Sequence, residues 1–195
     1  MSYNFDFSYK INDDTVIAGT DEAGRGPLAG PVVAAAVILD YKNPIEGLND
    51  SKKLSELKRK TLYEKITSLC ISYQVCFISH EEIDEINIYQ ASKKAMETCL
   101  LNLSRKPEVV LSDAMPLTSK NAVVHAIIKG DSLSASIMAA SILAKVSRDN
   151  YMHEMDALYP GYGFAKHKGY PTKAHREAIR KLGPCNIHRK TFKLL

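Results

Sequence analysis

Val16-Ile17-Ala18-Gly19-Thr20-Asp21-Glu22-Ala23-Gly24-Arg25-Gly26-Pro27-Leu28-Ala29-Gly30-Pro31-Val32 carries two adjacent carboxylates off the end of an apolar run and into a glycine-rich loop holding one arginine. The flanking runs, Val16 to about Asp21 and Val32-Val33-Ala34-Ala35-Ala36-Val37-Ile38-Leu39, are short, apolar and bounded by Gly and Pro, the pattern of buried strands. The loop between them is too short for a crossover helix, so the two strands are expected to be antiparallel neighbours. Gly24, Gly26 and Gly30 can take positive φ or let a ligand approach the backbone. Free backbone N–H groups beside one guanidinium suit a phosphate or a ribose oxygen. Asp21 and Glu22 repel each other unless a cation neutralises them, and hard divalent cations prefer oxygen ligands.

Working outward, the order of elements is mixed, which predicts an α/β sheet with helices on both faces. Ser55 can cap a helix whose apolar side carries Leu62, Ile66 and Leu69. Tyr73 to Ser79 reads as a third strand, and Glu81 to Leu103 as a helix of imperfect amphipathic pattern. Val109-Val110-Leu111 is a buried strand that delivers Asp113 at its end. Ala122 to Ile128 is a further strand, running into Lys129-Gly130-Asp131. The longest helix spans about Leu133 to Leu158, and its small residues Ala135, Ala139, Ala140, Ser141 and Ala144 let it lie close to the sheet. Tyr159 to Thr172 interleaves aromatics, glycines and basic residues before a short helix starting near Thr172 or Lys173. Aromatic faces beside cations suit sugars and bases, although Tyr162 and Phe164 are expected in the core.

Asp21, Glu22, Asp113 and Asp131 each fall at or just beyond an expected strand end, and in one sheet those ends can converge. Four carboxylates around one point are strongly destabilising without cations, whereas two divalent ions can clamp a scissile phosphate and activate water. Mg²⁺ or Mn²⁺ fits better than zinc, because no Cys or His cluster supplies softer ligands. Consecutive strand residues face opposite ways, so Asp21 and Glu22 both reach such ions only if the strand bends or Glu22 lies outside it.

A chain of 195 residues, 45% hydrophobic, is expected to form one domain, with residues 159–195 as a C-terminal appendage. The net charge of +4 is modest, but basic residues crowd two segments, Lys52 to Lys60 and Lys166 to Lys193, as a polyanion partner requires. Cys70, Cys76, Cys99 and Cys185 show neither metal-type nor disulfide-framework spacing. The N-terminus lacks a basic region followed by an apolar core, so a cytoplasmic location is expected. No apolar run is long enough to cross a bilayer, and nothing advertises a coiled coil, so a monomer away from membranes is expected.

Taken together and in order, Asp21 to Val32, Asp50-Ser51-Lys52-Lys53-Leu54, Lys129-Gly130-Asp131, Ala139 to Asp149 and His167-Lys168-Gly169-Tyr170 resemble bacterial ribonuclease HII, across nearly the whole chain from Val16 to Arg189. The resemblance implies an RNase H-like fold, with cleavage of the RNA strand of RNA–DNA hybrids and on the 5′ side of single ribonucleotides embedded in duplex DNA. It implies that Asp21, Glu22, Asp113 and Asp131 are the catalytic, metal-holding carboxylates. It also implies that Gly24, Arg25 and Gly26 contact the ribonucleotide 2′-hydroxyl and adjoining phosphate, and that Tyr170 meets the sugar on the DNA side of the junction. Lys52 and Lys53 then become phosphate contacts. A related RNase H-fold nuclease needing several ribonucleotides, and a catalytically silent nucleic-acid binder, remain the alternatives.

Overall fold

The computed structural model describes residues 2–195. Five strands form one mixed sheet: β1 (Ile17–Ala23), β2 (Val32–Ile38), β3 (Ser72–Ile78), β4 (Val109–Asp113) and β5 (Val123–Ile127). Their order is β3-β2-β1-β4-β5. As the short connection requires, β1 and β2 are antiparallel, and β3 continues that meander, whereas β4 lies parallel to β1 and β5 parallel to β4. The helices are α1 (Ser2–Phe7), α2 (Glu56–Leu69), α3 (His80–Asn102), α4 (Ala135–Leu158), α5 (Phe164–His167) and α6 (Lys173–Leu182).

Alternation along the strands sorts the core into two layers. Ala18, Ala34, Ala36 and Val110 face α3, whose Ala91, Ala95, Met96 and Cys99 complete that layer. Ala35 and Val37 face the other way, toward Ala139, Leu143 and Ala144 of α4 and Leu62 and Ile66 of α2, while Ile17, Leu111 and Ile137 extend that second layer. Leu69 is half exposed instead of joining the apolar side of α2. Side chains of Ser55, Ser79, Ser134 and Thr172 cap α2, α3, α4 and α6, each accepting a backbone N–H three residues on. Such caps contribute about 1 kcal/mol apiece.

Four details depart from the sequence reading. β1 runs two residues further than expected, so Glu22 lies inside the strand. α3 breaks at Asn87 (φ 68°), whose side-chain oxygen accepts the N–H groups of Tyr89 and Gln90 and so caps the second half of the helix. α5 forms a single helical turn within the aromatic–basic segment. α1 carries no recognisable periodicity; it is pinned because Asp6, fully buried, accepts the N–H of Ser136 in the first turn of α4 and the hydroxyl of Tyr41. A carboxylate suits the positive end of α4. No helix among the described residues is long and apolar enough to cross a membrane.

Candidate active site

The parallel pairing of β1 with β4 ends at Thr20 opposite Ser112, while β1 continues against β2 through Asp21–Ala35 and Glu22–Ala34. The carboxylates therefore sit where the sheet opens. Asp21 follows Ile17 and Gly19 on the α4 face; Glu22 falls on the other face, with no bulge in the register to turn it. Asp113 ends β4, and its Oδ1 accepts the Gly130 N–H at 2.8 Å, which ties β4 to the turn Gly130–Ser132 that carries Asp131. Lys52, in the turn Ser51–Lys53, donates to Asp131 Oδ2 at 2.8 Å. Ser51 and Ser141 are linked through their hydroxyls at 2.9 Å, which fastens that turn to α4.

Burial, then the neighbouring Glu22 and Asp113, push the Asp21 carboxyl well above the ordinary range. Burial also raises Glu22, against the opposing pull of Arg25, and raises Asp113, where Asp131 adds to the effect. Arg25 reaches Glu22 Oε1 at 3.4 Å, and Glu22 Oε2 is buried without a hydrogen-bond partner. An orphaned carboxylate oxygen beside three other acids is a site short of positive charge, and its all-oxygen donor set fits a hard divalent cation. Among the described residues no three of these groups are drawn together tightly enough to enclose an ion as they stand.

The glycine loop lies against this cluster with its carbonyls turned inward. Arg189, fully buried, donates to the carbonyls of Gly24 (2.6 Å), Arg25 (3.0 Å) and Gly30 (3.0 Å). Arg148, also buried, donates to Ala29 (3.2 Å) and Pro31 (3.1 Å). Because the peptide unit is planar and trans, inward carbonyls at Gly24 and Arg25 point the N–H groups of Arg25 and Gly26 outward. Neither N–H has a partner among the described residues. Gly24, at φ 101°, lies so close to the Arg148 side chain that a Cβ has no room. Gly26, by contrast, has an ordinary negative or extended φ and faces the Tyr170 ring, 3.6 Å from where its Cβ would be. Successive outward amides form an anion-binding nest. Neither buried arginine has a carboxylate within ion-pair distance among the described residues, so their charge adds to the pull on an anion.

Tyr170 is 42% exposed beside Gly26, with the Arg148 guanidinium 5.9 Å from its ring centre. Tyr162 and Phe164 are buried and stacked on each other, as expected. Lys53 only leans toward Asp50 at 3.9 Å and leaves its ammonium in solvent. The structure thus gathers Asp21, Glu22, Asp113, Asp131, Lys52, the loop and Tyr170 around one opening. His175, His188 and Arg189 belong to the basic segment read as suiting a polyanion, and Arg148 to the motif Ala139 to Asp149, yet all four are buried; basic residues give no sequence signal of burial.

A sequence profile described as ribonuclease HII matches residues 18–195. The chain belongs to the ribonuclease HII family. Membership makes it a ribonuclease, a hydrolase of phosphodiester bonds. Ribonuclease HII of Francisella tularensis subsp. novicida is 56% identical over 178 residues, covering 91% of this chain and 96% of that one. Among solved structures, the ribonuclease HII of Archaeoglobus fulgidus in complex with PCNA superposes with a TM-score of 0.79 at 28% identity, covering 92% of this chain and 96% of the other. The ribonuclease H2 of Pyrococcus horikoshii gives 0.78 at 30% identity, covering 91% and 94%. These ribonuclease HII-type neighbours share the RNase H-like mixed sheet flanked by helices.

Behind Tyr170 lie His175 and His188, both buried. Burial pushes His175 down to about 4 and lowers His188 as well. A histidine lowered on folding stabilises the protein above its unfolded pKa of about 6.5 and loses that contribution as pH falls through the folded value. The histidine contribution is therefore expected to fall between pH ~6.5 and ~4, so the melting temperature of wild type should drop relative to that of His175→Gln across this window; a difference between the two that does not change with pH in a thermal-unfolding series would contradict this.

Proposed function

We propose that this chain is an endoribonuclease that hydrolyses the RNA strand of RNA–DNA hybrids and nicks duplex DNA on the 5′ side of a single embedded ribonucleotide. The observation that carries the reading is the juxtaposition of an undercompensated carboxylate cluster with an outward amide nest and an exposed tyrosine: one part suits phosphodiester hydrolysis, the others suit recognition of the sugar beside it. Asp21, Glu22, Asp113 and Asp131 would hold divalent cations, Mg²⁺ or Mn²⁺ by the hardness of the donors, with β1 bending at Glu22 to bring its carboxylate beside Asp21; such ions would neutralise these acids and activate water for attack on phosphorus.

The remaining work falls to the chain itself. The N–H groups of Arg25 and Gly26 and the Arg25 guanidinium hold the 2′-hydroxyl and the adjoining phosphate, which is how a protein tells RNA from DNA at one position. Tyr170 packs against the sugar on the deoxyribose side. Lys52 and Lys53 hold backbone phosphates, fixing register without reading sequence. Lys52 pairs with Asp131, so its move to a phosphate would free that carboxylate to hold a cation. Residues 159–195 act as the substrate-binding segment of the one catalytic domain.

The test is cleavage of an end-labelled duplex containing one ribonucleotide, with Mg²⁺, with Mn²⁺ and with chelator, beside an all-DNA duplex and a long hybrid. The expected product is a metal-dependent nick on the 5′ side of the ribonucleotide, with the all-DNA duplex intact. Cleavage of the long hybrid alone would replace this reading with an enzyme that needs several ribonucleotides, and binding without cleavage would leave a silent binder.

A further inference from the structure

The two recognition elements, the loop at Gly24–Gly26 and Tyr170, come from segments nearly 150 residues apart, and both are held by one dipeptide near the C-terminus. His188 and Arg189 run alongside the glycine loop: the Arg189 N–H donates to the Leu28 carbonyl at 2.9 Å, Gly30 donates to Ile187 at 2.8 Å, and His188 forms a bridge with Ala29. From this strand-like segment the two side chains diverge. The Arg189 fork spans three loop carbonyls, at Gly24, Arg25 and Gly30. A planar guanidinium can satisfy that fixed set, whereas a single ammonium cannot.

His188 goes the other way. Its Nδ1 accepts the Cys185 N–H at 2.9 Å, which leaves the ring proton on Nε2. That nitrogen faces His175 Nε2 at 3.1 Å and donates to it. His175 then carries its proton on Nδ1 and donates to the Tyr170 carbonyl at 3.0 Å. One assignment of tautomers satisfies the whole chain from Cys185 to Tyr170, and both rings are uncharged in it. His167 stacks on His175 at 4.4 Å, and its Nδ1 accepts the Gly169 N–H, holding the residue before Tyr170. Gly169 in turn passes its carbonyl to the Leu28 N–H at 2.8 Å, so the tyrosine turn and the loop are joined directly.

We propose that His188 and Arg189 are positioning residues for ribonucleotide recognition: Arg189 keeps the Arg25 and Gly26 amides aimed into the cleft, and His188, through His175, sets Tyr170 opposite them. This rests on the function proposed above and adds to it the element that fixes the distance between the two sides of the junction. Neither residue touches the carboxylates, so their loss acts on substrate selection and leaves the chemical step in place.

The experiment measures kcat and KM on the single-ribonucleotide duplex, and binding of that duplex and of an all-DNA duplex, for wild type, Arg189→Lys, His188→Phe and His188→Gln. Circular dichroism and active-site titration correct for the folded fraction. Arg189→Lys and His188→Phe are expected to raise KM by about tenfold, the weight of one to two hydrogen bonds to a charged or buried partner. In the same variants kcat stays within about twofold, the signature of lost binding rather than lost chemistry. All-DNA binding is unchanged, so the ribonucleotide preference shrinks, and His188→Gln, which can still donate toward His175, recovers part of it. An unchanged preference in the folded variants, or a fall confined to the active fraction, overturns the proposal. Should Arg189→Lys not fold, the His188→Phe and His188→Gln pair decides. A wild-type enzyme without ribonucleotide preference would instead remove the functional reading itself.

Discussion

Asp21→Asn is expected to abolish turnover, by about 10³-fold or more, while making the metal-free protein more stable. The activity loss follows from position. Asp21 is buried on the α4 face of β1, accepts the N–H of Glu22 at 2.7 Å, and lies within the field of both Glu22 and Asp113. Removing one charged group at a reacting centre reduces rate by about 10²–10³, and a loss of 10³ corresponds to about 4 kcal/mol of transition-state stabilisation. The stability gain has the opposite origin. A carboxyl whose folded pKa is raised contributes fully below its unfolded value near 3.9 and is destabilising once the pH has risen through the folded value. At neutral pH with chelator the wild type carries that burden, and the asparagine, whose Oδ1 still accepts from Glu22, does not. Each kcal/mol relieved raises the melting temperature of a chain this size by about 2–4 °C. Divalent metal should stabilise the wild type by mass action and the variant less. Turnover within tenfold of wild type, or a lower melting temperature in chelator, would remove Asp21 from the centre of the site.

The acids were legible because each follows an apolar run short enough to be a strand, and the parallel β1–β4–β5 arrangement brings three such ends to one side of the sheet. The extent of β1 was not. Glu22 reads as the residue where the strand stops, yet pairing with β2 carries on past it, since a carboxylate is tolerated where β4 has already ended. The imperfect pattern of α3 has a cause that propensity cannot supply: Asn87 resets the helix phase midway. The burial of Arg148 and Arg189 was invisible for a different reason. Their partners are backbone carbonyls more than a hundred residues away, which leave no spacing in the sequence. What the aromatic–basic segment signalled as surface chemistry is half framework, with Phe164 buried among His167, His175 and His188 and only Tyr170 turned to the cleft.

Gly19→Ala is expected to give the largest loss of stability of any single methyl added to the sheet, about 3 kcal/mol or more. Gly19 sits at the centre of β1, two residues before Asp21 on the same face, where α4 begins. A Cβ there would fall inside the contact distance of the Ser136 carbonyl and within 2.5 Å of the Ile137 nitrogen. Both are backbone atoms in the first turn of a helix, so no side chain can rotate away. The helix start itself is fixed, by the Ser134 cap and by Asp6 accepting from Ser136, and cannot slide without breaking those bonds. Relief must therefore come from lifting α4 off the sheet, which separates Ser141 from the Asp21 carboxylate it hydrogen-bonds and the Asp131 turn from Asp113. The melting temperature should fall by about 6–12 °C, and the remaining folded protein should bind divalent metal more weakly, because the acids no longer share one opening. Gly183→Ala is the control: its φ of 76° and ψ of 173° strain the backbone, but a Cβ meets nothing within 4 Å, so its cost should be that of the backbone alone, about 1–3 kcal/mol. If thermal unfolding ranked the two substitutions equally, close helix–strand approach at Gly19 would not be what holds the carboxylates together.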